Sequence, residues 1–178
     1  HLSLQSGSET VLKRMGRRYS AEAFKRLVNK VVNMISKAAI GADVIVGFPG
    51  ETEREFDETM DLIDSLPMAY LHVFSYSRRP GTPASAMPDQ IKPNLKKERS
   101  KRLLELSEGK TLEFLKLLLD NHVLLKGVVE SRVNGIATLL SDHYIRAYTD
   151  DPADTGQVVS VIPTKAYSDG LMGNLAED

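Results

Sequence analysis

The stretch DVIVGFPGET, residues 43–52, decides the fold that the sequence predicts. Its first part, 43–48, is rich in β-branched residues and apolar on successive positions, which predicts a strand buried on both faces. Gly47 near its end and Gly50 after it indicate a tight turn. Thr52 and Glu55 then match the capping box that begins a helix. A buried strand that turns directly into a capped helix is typical of a parallel α/β sheet.

Strand and helix patterns alternate on both sides of this stretch. Residues 1–6 predict a strand, Ser8 begins a short helix that Gly16 ends, and Ser20 begins a longer helix. A third strand is expected over 70–76. The predicted buried positions are Phe24, Leu27, Val28, Val31, Val32 and Ile35 on the longer helix, and Phe56, Met60 and Ile63 on the helix after Thr52. Crossovers of this length predict parallel neighbouring strands.

From residue 79 onward the chain has a different pattern. Prolines and a glycine make 79–83 a loop, and a long helix is predicted over 94–119. Five short β-rich runs then follow between turn residues, at 123–129, 136–140, 144–148, 158–162 and 171–172. Runs of this number and length favour a small antiparallel β-barrel of the oligonucleotide-binding size. We therefore expect an α/β protein with two domains, residues 1–113 and 114–178.

The composition excludes several kinds of protein and of site. The 178 residues carry a net charge of −1 and no cysteine, which excludes disulfides and iron–sulfur clusters held by this chain. The histidines are too far apart in sequence to form a helical metal-binding pair, so no metal ligand is predicted. No apolar run reaches the roughly 18 residues of a membrane span. We expect a cytoplasmic protein and, since the sequence does not begin with Met, a piece of a longer one.

Polar segments follow each of the first three predicted strands. They are Gln5-Ser6-Gly7-Ser8, the turn 47–52 and Tyr76-Ser77-Arg78-Arg79. Each one alone is explained by a turn or a helix cap. Because the carboxyl ends of parallel strands meet at one edge of a sheet, together they predict a ligand site there. The basic clusters at 13–18, 78–79 and 92–102 fit either phosphate contacts or solvated helix faces, and both interpretations stay open.

Several of these segments resemble one known family. The run HLSLQSGS at 1–8, LKRMGRRY at 12–19, residues 43–52 and the segment 76–90 are similar to the radical S-adenosylmethionine (SAM) methylthiotransferases. The run HVFSYSRRPGTP at 72–83, followed by MPDQ at 87–90, is most similar to the branch that acts on threonylcarbamoyladenosine in tRNA. The C-terminal part resembles the TRAM domain of these proteins.

The resemblance implies an enzyme that replaces a C–H hydrogen with a methylthio group. It implies S-adenosylmethionine and two [4Fe–4S] clusters as cofactors, a partial parallel βα (TIM-like) barrel, and tRNA as the partner. Since the chain has no cysteine, we expect both clusters to be bound by missing N-terminal domains and this fragment to be inactive, with no catalytic residue. The open edge beside the strand at 1–6 is expected to make the fragment self-associate.

The resemblance also assigns candidate residues. The candidates for binding S-adenosylmethionine are Gln5, Ser6, Arg17, Ile45, Gly47, Phe74 and Tyr76, and those for contacting RNA are Arg78, Arg79, Arg132, Tyr144 and Arg146. From Asn121 onward there are 4 basic against 8 acidic residues, so a barrel that only supports the catalytic half stays open as an alternative. Two further alternatives are a methylthiotransferase of a ribosomal protein and a cluster-free RNA-binding adaptor.

Overall fold

The computed structural model describes residues 1–176 and divides the chain into two compact units. The first unit is His1–Thr111, and the second begins at Leu112. The first contains a three-stranded parallel sheet and the second a closed five-stranded barrel. Within the described residues no helix combines the length and the apolar character that crossing a membrane requires.

The first unit alternates strands and helices, as the sequence predicts. Its elements are β1 (Leu2–Gln5), α1 (Glu9–Arg14), α2 (Ala21–Met34), β2 (Gly41–Val46), α3 (Glu53–Asp64), β3 (Tyr70–Ser75), α4 (Pro83–Ala86) and α5 (Pro93–Asp120), the last of which runs on into the second unit. The strands pair in parallel in the order β1–β2–β3. The short helix α4 was not predicted, because its Pro-rich sequence reads as loop.

The two faces of this sheet have different surroundings, which corrects one expectation. Ala42, Val44 and Val46 on one face of β2 are fully buried in a core that includes Phe56 of α3. Asp43 and Ile45 on the other face are only partly buried. The prediction that this strand is buried on both faces is therefore wrong for the described residues, since helices cover one face only.

Helix termini largely follow the sequence signals. The Ser20 hydroxyl accepts a hydrogen bond from the Ala23 N–H, and Thr52 with Glu55 forms the complete capping box. Ser8 precedes α1, but its side chain does not cap it; Ser8 Oγ donates to Glu58 Oε2 at 2.6 Å instead. Leu27 on α2 is 44% exposed and Ile35, just after α2, is 60% exposed, so these two predicted core positions are wrong.

The second unit is a barrel closed in the order β4–β5–β6–β8–β7. Its strands are β4 (Leu125–Val133), β5 (Ile136–Ser141), β6 (Arg146–Thr149), β7 (Val158–Tyr167) and β8 (Gly170–Leu175). Asn134 and Gly135, both at positive φ, form the tight turn between β4 and β5. The barrel is not purely antiparallel as expected, because β6 and β8 pair in parallel where the ring closes.

Candidate functional site

A cleft of about 600 Å³ opens on the uncovered face of the three-stranded sheet. Its walls come from all three strands and from the segment after β3. The lining residues are Gln5, Asp43, Ile45, Phe74, Ser75, Tyr76, Ser77, Arg79, Thr82 and Ala84. The sheet edge that the sequence singled out therefore does form a concave site, with an apolar floor and a polar rim.

The floor of the cleft is apolar because two side chains stand side by side. Ile45 and Phe74 are register partners on β2 and β3, so they point to the same face. Phe74 is 51% exposed, which is unusual for an aromatic ring and leaves its face available to a flat ligand. Gln5 ends β1 beside them; it is 8% exposed and has a φ of 65°.

Tyr76 closes one end of the cleft and is held by its backbone and its ring. Its N–H donates to the Val46 carbonyl at 2.8 Å, and its carbonyl accepts from Lys96 Nζ at 2.8 Å. Its ring packs edge-on against Phe48. The Tyr76 hydroxyl is buried without a hydrogen-bond partner among the described residues. Tyr76 lines the cleft, and a buried hydroxyl without a partner in the protein is suited to bond a polar group that reaches it.

The turn after β2 is held by a buried ion pair. Gly47 has a φ of 71°, and its N–H donates to Glu51 Oε2 at 2.7 Å. Arg99 of α5 donates to the same oxygen at 2.8 Å and to the Glu51 carbonyl at 3.0 Å. Arg99 is 1% and Glu51 3% exposed. Burial raises the pKa of Glu51, while the Gly47 N–H and Arg99 oppose that rise.

A second ion pair ties α1 to the first turn of α3. Arg14 binds both carboxylate oxygens of Glu55, at 2.8 and 3.0 Å, and Thr10 Oγ1 and the Thr52 N–H donate to the same carboxylate. These donors, Arg14 foremost, hold the pKa of Glu55 well below its usual range. The pair fixes the segment between β1 and α2 against the segment that follows the Gly47 turn.

Glu55 gives the protein an acid-sensitive contribution to stability. Because the pKa of Glu55 is strongly lowered on folding, its contribution is fully present above the unfolded pKa and is lost progressively as pH falls from about 5 towards the lowered pKa of the folded state. We expect Glu55→Gln to be less stable than the parent chain at pH 7, with a gap that narrows but does not close by pH 3, in urea titrations at each pH. Glu22→Gln, which removes an exposed i,i+4 pair with Arg26, is the control and is expected to change little. A stability gap that stays constant down to pH 3 would contradict this.

Three candidate cofactor residues lie outside the cleft lining. Ser6 is fully buried, and its hydroxyl hydrogen-bonds Thr59 at 3.2 Å. Arg17 is exposed on the loop after α1. Gly47 turns the backbone beside Lys96, whose Cγ would lie 2.4 Å from an added Cβ. The cleft thus brings together Gln5 and three of the other candidates, Ile45, Phe74 and Tyr76.

The RNA candidates of the first unit lie on the segment that leads into α4. Arg79 is exposed and lines the cleft. Arg78 is also exposed, but its Nε donates to the Ser85 carbonyl at 2.8 Å. Arg78 therefore helps to fold this segment, while Arg79 contributes positive charge to the rim.

The RNA candidates of the barrel are engaged in contacts within it. Arg132 donates to the carbonyls of Asp150 at 3.2 Å and Asp151 at 2.8 Å, which fixes the loop before β7. Arg146 lies 3.4 Å from an oxygen of Asp169 in an exposed ion pair. Tyr144 is 64% exposed at a φ of 60°. Tyr144 and Arg146 present surface to solvent, whereas Arg132 has a structural role.

Comparison with known proteins shows what the chain is similar to. The family model of the radical SAM superfamily matches residues 1–63. Over its whole length the chain is 39% identical to the threonylcarbamoyladenosine tRNA methylthiotransferase MtaB of Bacillus subtilis, of which it covers 41%. It is 37% identical over 91% of its length to MtaB of Aquifex aeolicus, of which it covers 38%. Over its whole length the chain is therefore similar to part of the radical SAM tRNA methylthiotransferases.

A further relative comes from another branch of the methylthiotransferases. The tRNA-2-methylthio-N(6)-dimethylallyladenosine synthase of Thermobifida fusca is 52% identical over 108 residues, which are 61% of this chain and 22% of that protein. The chain spans about two fifths of the length of the relatives that it matches from end to end. It therefore matches only part of each of these proteins.

The family implies S-adenosylmethionine and iron–sulfur clusters as cofactors. The residues of this chain fit S-adenosylmethionine but not a cluster. A cluster requires thiolate ligands, and the sequence contains no cysteine, so its residues do not fit that group. The cleft fits a nucleoside, because Ile45 and Phe74 give it an apolar floor while Gln5, Ser77 and Thr82 line it with polar groups.

Sequence reasoning missed the residues that hold this site in place. Lys96, Arg99 and Arg102 belong to a basic cluster for which phosphate contacts or a solvated face were expected. Lys96 instead donates to Tyr76, and Arg99 is buried. The signal was the spacing of these three on α5, which places them along one side of the helix. Two of them, Arg99 and Arg102, lie opposite acidic residues at the start of α3.

Proposed function

We propose that this chain is the C-terminal part of a tRNA methylthiotransferase. In this proposal the first unit completes a parallel TIM-like βα barrel and the second is a TRAM domain, with residues 1–113 and 114–178 as their limits. A parallel sheet with helices over one face and a cleft on the other supports the barrel assignment. The 39% identity to the Bacillus subtilis MtaB over the full length of the chain supports the proposal as a whole.

The cleft is proposed to hold the adenosine part of S-adenosylmethionine. Ile45 and the exposed face of Phe74 offer the apolar contact that a purine ring needs. Gln5 and the Tyr76 hydroxyl supply polar groups at its edge. When bound, S-adenosylmethionine supplies the radical chemistry by which the family exchanges a C–H hydrogen for a methylthio group. The clusters belong to residues outside this chain, which by itself is inactive.

The substrate is proposed to be threonylcarbamoyladenosine in tRNA. The supporting observation is that, from end to end, the chain is 39% identical to the Bacillus subtilis MtaB and 35% identical to a tRNA-2-methylthio-N(6)-dimethylallyladenosine synthase of Thermoanaerobacter. The 52% identity to the Thermobifida fusca synthase over 61% of the chain keeps a dimethylallyladenosine substrate as the second candidate. The relatives named here give no support to a ribosomal-protein substrate. The proposed place of action is the cytoplasm, where tRNA is modified.

The tRNA is proposed to contact both units. Arg79 stands on the rim of the cleft, where a phosphate beside the modified base would lie. On the barrel, Tyr144 offers an exposed ring for stacking on an unpaired base, and Arg146, two residues later, offers an exposed positive charge. Arg132 is left out of this surface because it fixes a loop.

The experiment uses the full-length protein that carries this sequence, purified with its clusters. We expect Phe74→Ala to raise the KM for S-adenosylmethionine about 10–100-fold and to leave the affinity for tRNA unchanged. We expect Arg146→Ala to leave that KM unchanged, to weaken tRNA binding and to reduce the salt dependence of binding by about one phosphate contact. Mass spectrometry of tRNA nucleosides gives the product, and Leu27→Ala, at an exposed site on α2, is the control. Wild-type kinetics for Phe74→Ala would refute the cofactor site.

A further inference from the structure

Two imidazoles and a carboxylate meet on the uncovered face of the three-stranded sheet. His1 Nε2 lies 2.8 Å and His72 Nδ1 3.5 Å from the same oxygen, Asp43 Oδ1. The ring centroids of His1 and His72 are 4.7 Å apart. The three ligand atoms all lie within 4.8 Å of one another. No other group of three or more such side chains with this geometry occurs within residues 1–176.

Strand register builds this cluster from residues that are far apart in sequence. Asp43 and His72 are Cα partners on β2 and β3, so their side chains emerge together. His1 precedes β1, which pairs with β2 through Leu2 and Ala42. The alternation of a strand places His1 on the same face as Asp43. Sequence reasoning excluded helical histidine pairs and could not see a cluster that depends on pairing three strands.

We propose that His1, Asp43 and His72 bind one divalent transition-metal ion, with Zn²⁺ as the ion of choice. Imidazole nitrogens with one carboxylate oxygen are a ligand set that zinc uses. A tetrahedral ion with bonds of about 2.0–2.1 Å separates its ligand atoms by about 3.3 Å, and the distances here require only small rotations of side chains that are partly exposed. A cation placed among them would touch all three.

The surroundings of the cluster supply what a metal site needs beyond its ligands. The Tyr70 hydroxyl lies 3.5 Å from His1 Nδ1, the nitrogen that does not face Asp43. A partner for the second ring nitrogen fixes the tautomer and orientation of a ligating histidine. Asp43 also lines the cleft. Three protein ligands leave a coordination position open, and here it would be reached from the cleft.

The test measures metal binding by the 178-residue chain itself and does not depend on the methylthiotransferase assignment. Two residues added before His1 prevent the terminal amine from chelating metal, and no histidine tag remains. We expect calorimetry to give one Zn²⁺ per chain, and Co²⁺ to give visible absorption of a nitrogen–oxygen site. Asp43→Asn and His72→Gln should each weaken Zn²⁺ binding by more than the roughly 10–100-fold that loss of an outer-shell partner costs. His143→Gln, which changes a histidine of the second unit, is the control.

Stability provides an independent readout. Saturating Zn²⁺ should raise the Tm of the wild-type chain and of His143→Gln but not that of His72→Gln, because only a folded site gains from the ligand. His72 has a half-exposed side chain, so its replacement leaves the sheet folded even if Asp43→Asn does not. No binding at 100-fold molar excess of Zn²⁺, or equal binding by His72→Gln and the parent, would overturn the site and show a hydrogen-bonded cluster only.

Discussion

We expect Arg99→Met to lower the free energy of unfolding by about 3–5 kcal/mol, because it leaves the Glu51 carboxylate buried without a cation. Arg99 is 1% exposed and donates to both the side chain and the backbone carbonyl of Glu51. It also holds Glu53 at 3.0 Å and lies over the Phe56 ring. Urea unfolding followed by circular dichroism measures this loss in the free energy of unfolding. The part of the structure that loses its support is the turn after β2.

A matched pair of variants separates the buried charge from lost packing. Arg102→Met removes a neighbouring arginine that pairs with Asp57 at 2.9 Å but is 36% exposed, and it should cost about 1 kcal/mol or less. Adding Glu51→Gln to Arg99→Met removes the orphaned charge and should recover a large part of the loss. Equal destabilisation by the two arginine variants would contradict a special role for the buried pair.

The pH dependence of the Arg99 variant follows from the sign of the Glu51 shift. The pKa of Glu51 is already raised by burial, and removing Arg99 takes away one of the groups that oppose the rise. A carboxyl whose pKa is higher in the folded state gains stability for that state as pH falls through the raised value. The gap in unfolding free energy between Arg99→Met and its double variant with Glu51→Gln should therefore narrow as pH falls from neutral through the raised pKa of Glu51.

Local signals in the sequence predicted the order of elements because those signals act over a few residues. Thr52 and Glu55 are three positions apart and complete a capping box regardless of the rest of the chain. The same holds for Asn134 and Gly135, whose positive φ values give the turn between β4 and β5. The parallel pairing of β6 with β8 depends on how the ring closes, which no local pattern encodes.

The candidate site was predictable only where strand ends determine it. Gln5, Ile45, Phe74 and Tyr76 meet because parallel strands end at one edge, and the sequence indicated that edge. Lys96 reaches Tyr76 from a helix that begins about twenty residues later, so no spacing along the strands announces it. The burial of Arg99 likewise depends on α5 packing against the start of α3. Such long-range pairs are fixed by tertiary packing.

The closure of the barrel rests on glycines at which neighbouring backbones nearly touch. A Cβ at Gly173 of β8 would lie 1.9 Å from the carbonyl oxygen of Ile162 and 2.8 Å from the Cα of Pro163, both in the backbone of β7. A Cβ at Gly170 would lie 2.0 Å from the Arg146 carbonyl oxygen. Backbone atoms cannot rotate away as a flexible side chain can, so the strands themselves would have to separate.

We therefore expect Gly173→Ala to destabilise the second unit by about 3 kcal/mol or more, the upper range for overpacking, because β7 and β8 must lose their register to admit one methyl group. Hydrogen exchange should show faster exchange of the β7 and β8 amides. Gly109→Ala is the control: Gly109 lies within α5 with nothing within 4 Å of its added Cβ, and alanine there should stabilise by about 0.5–1 kcal/mol. Protection of β7 and β8 in Gly173→Ala equal to that of the parent would mean that the strands can separate without cost, and that barrel closure does not depend on this contact.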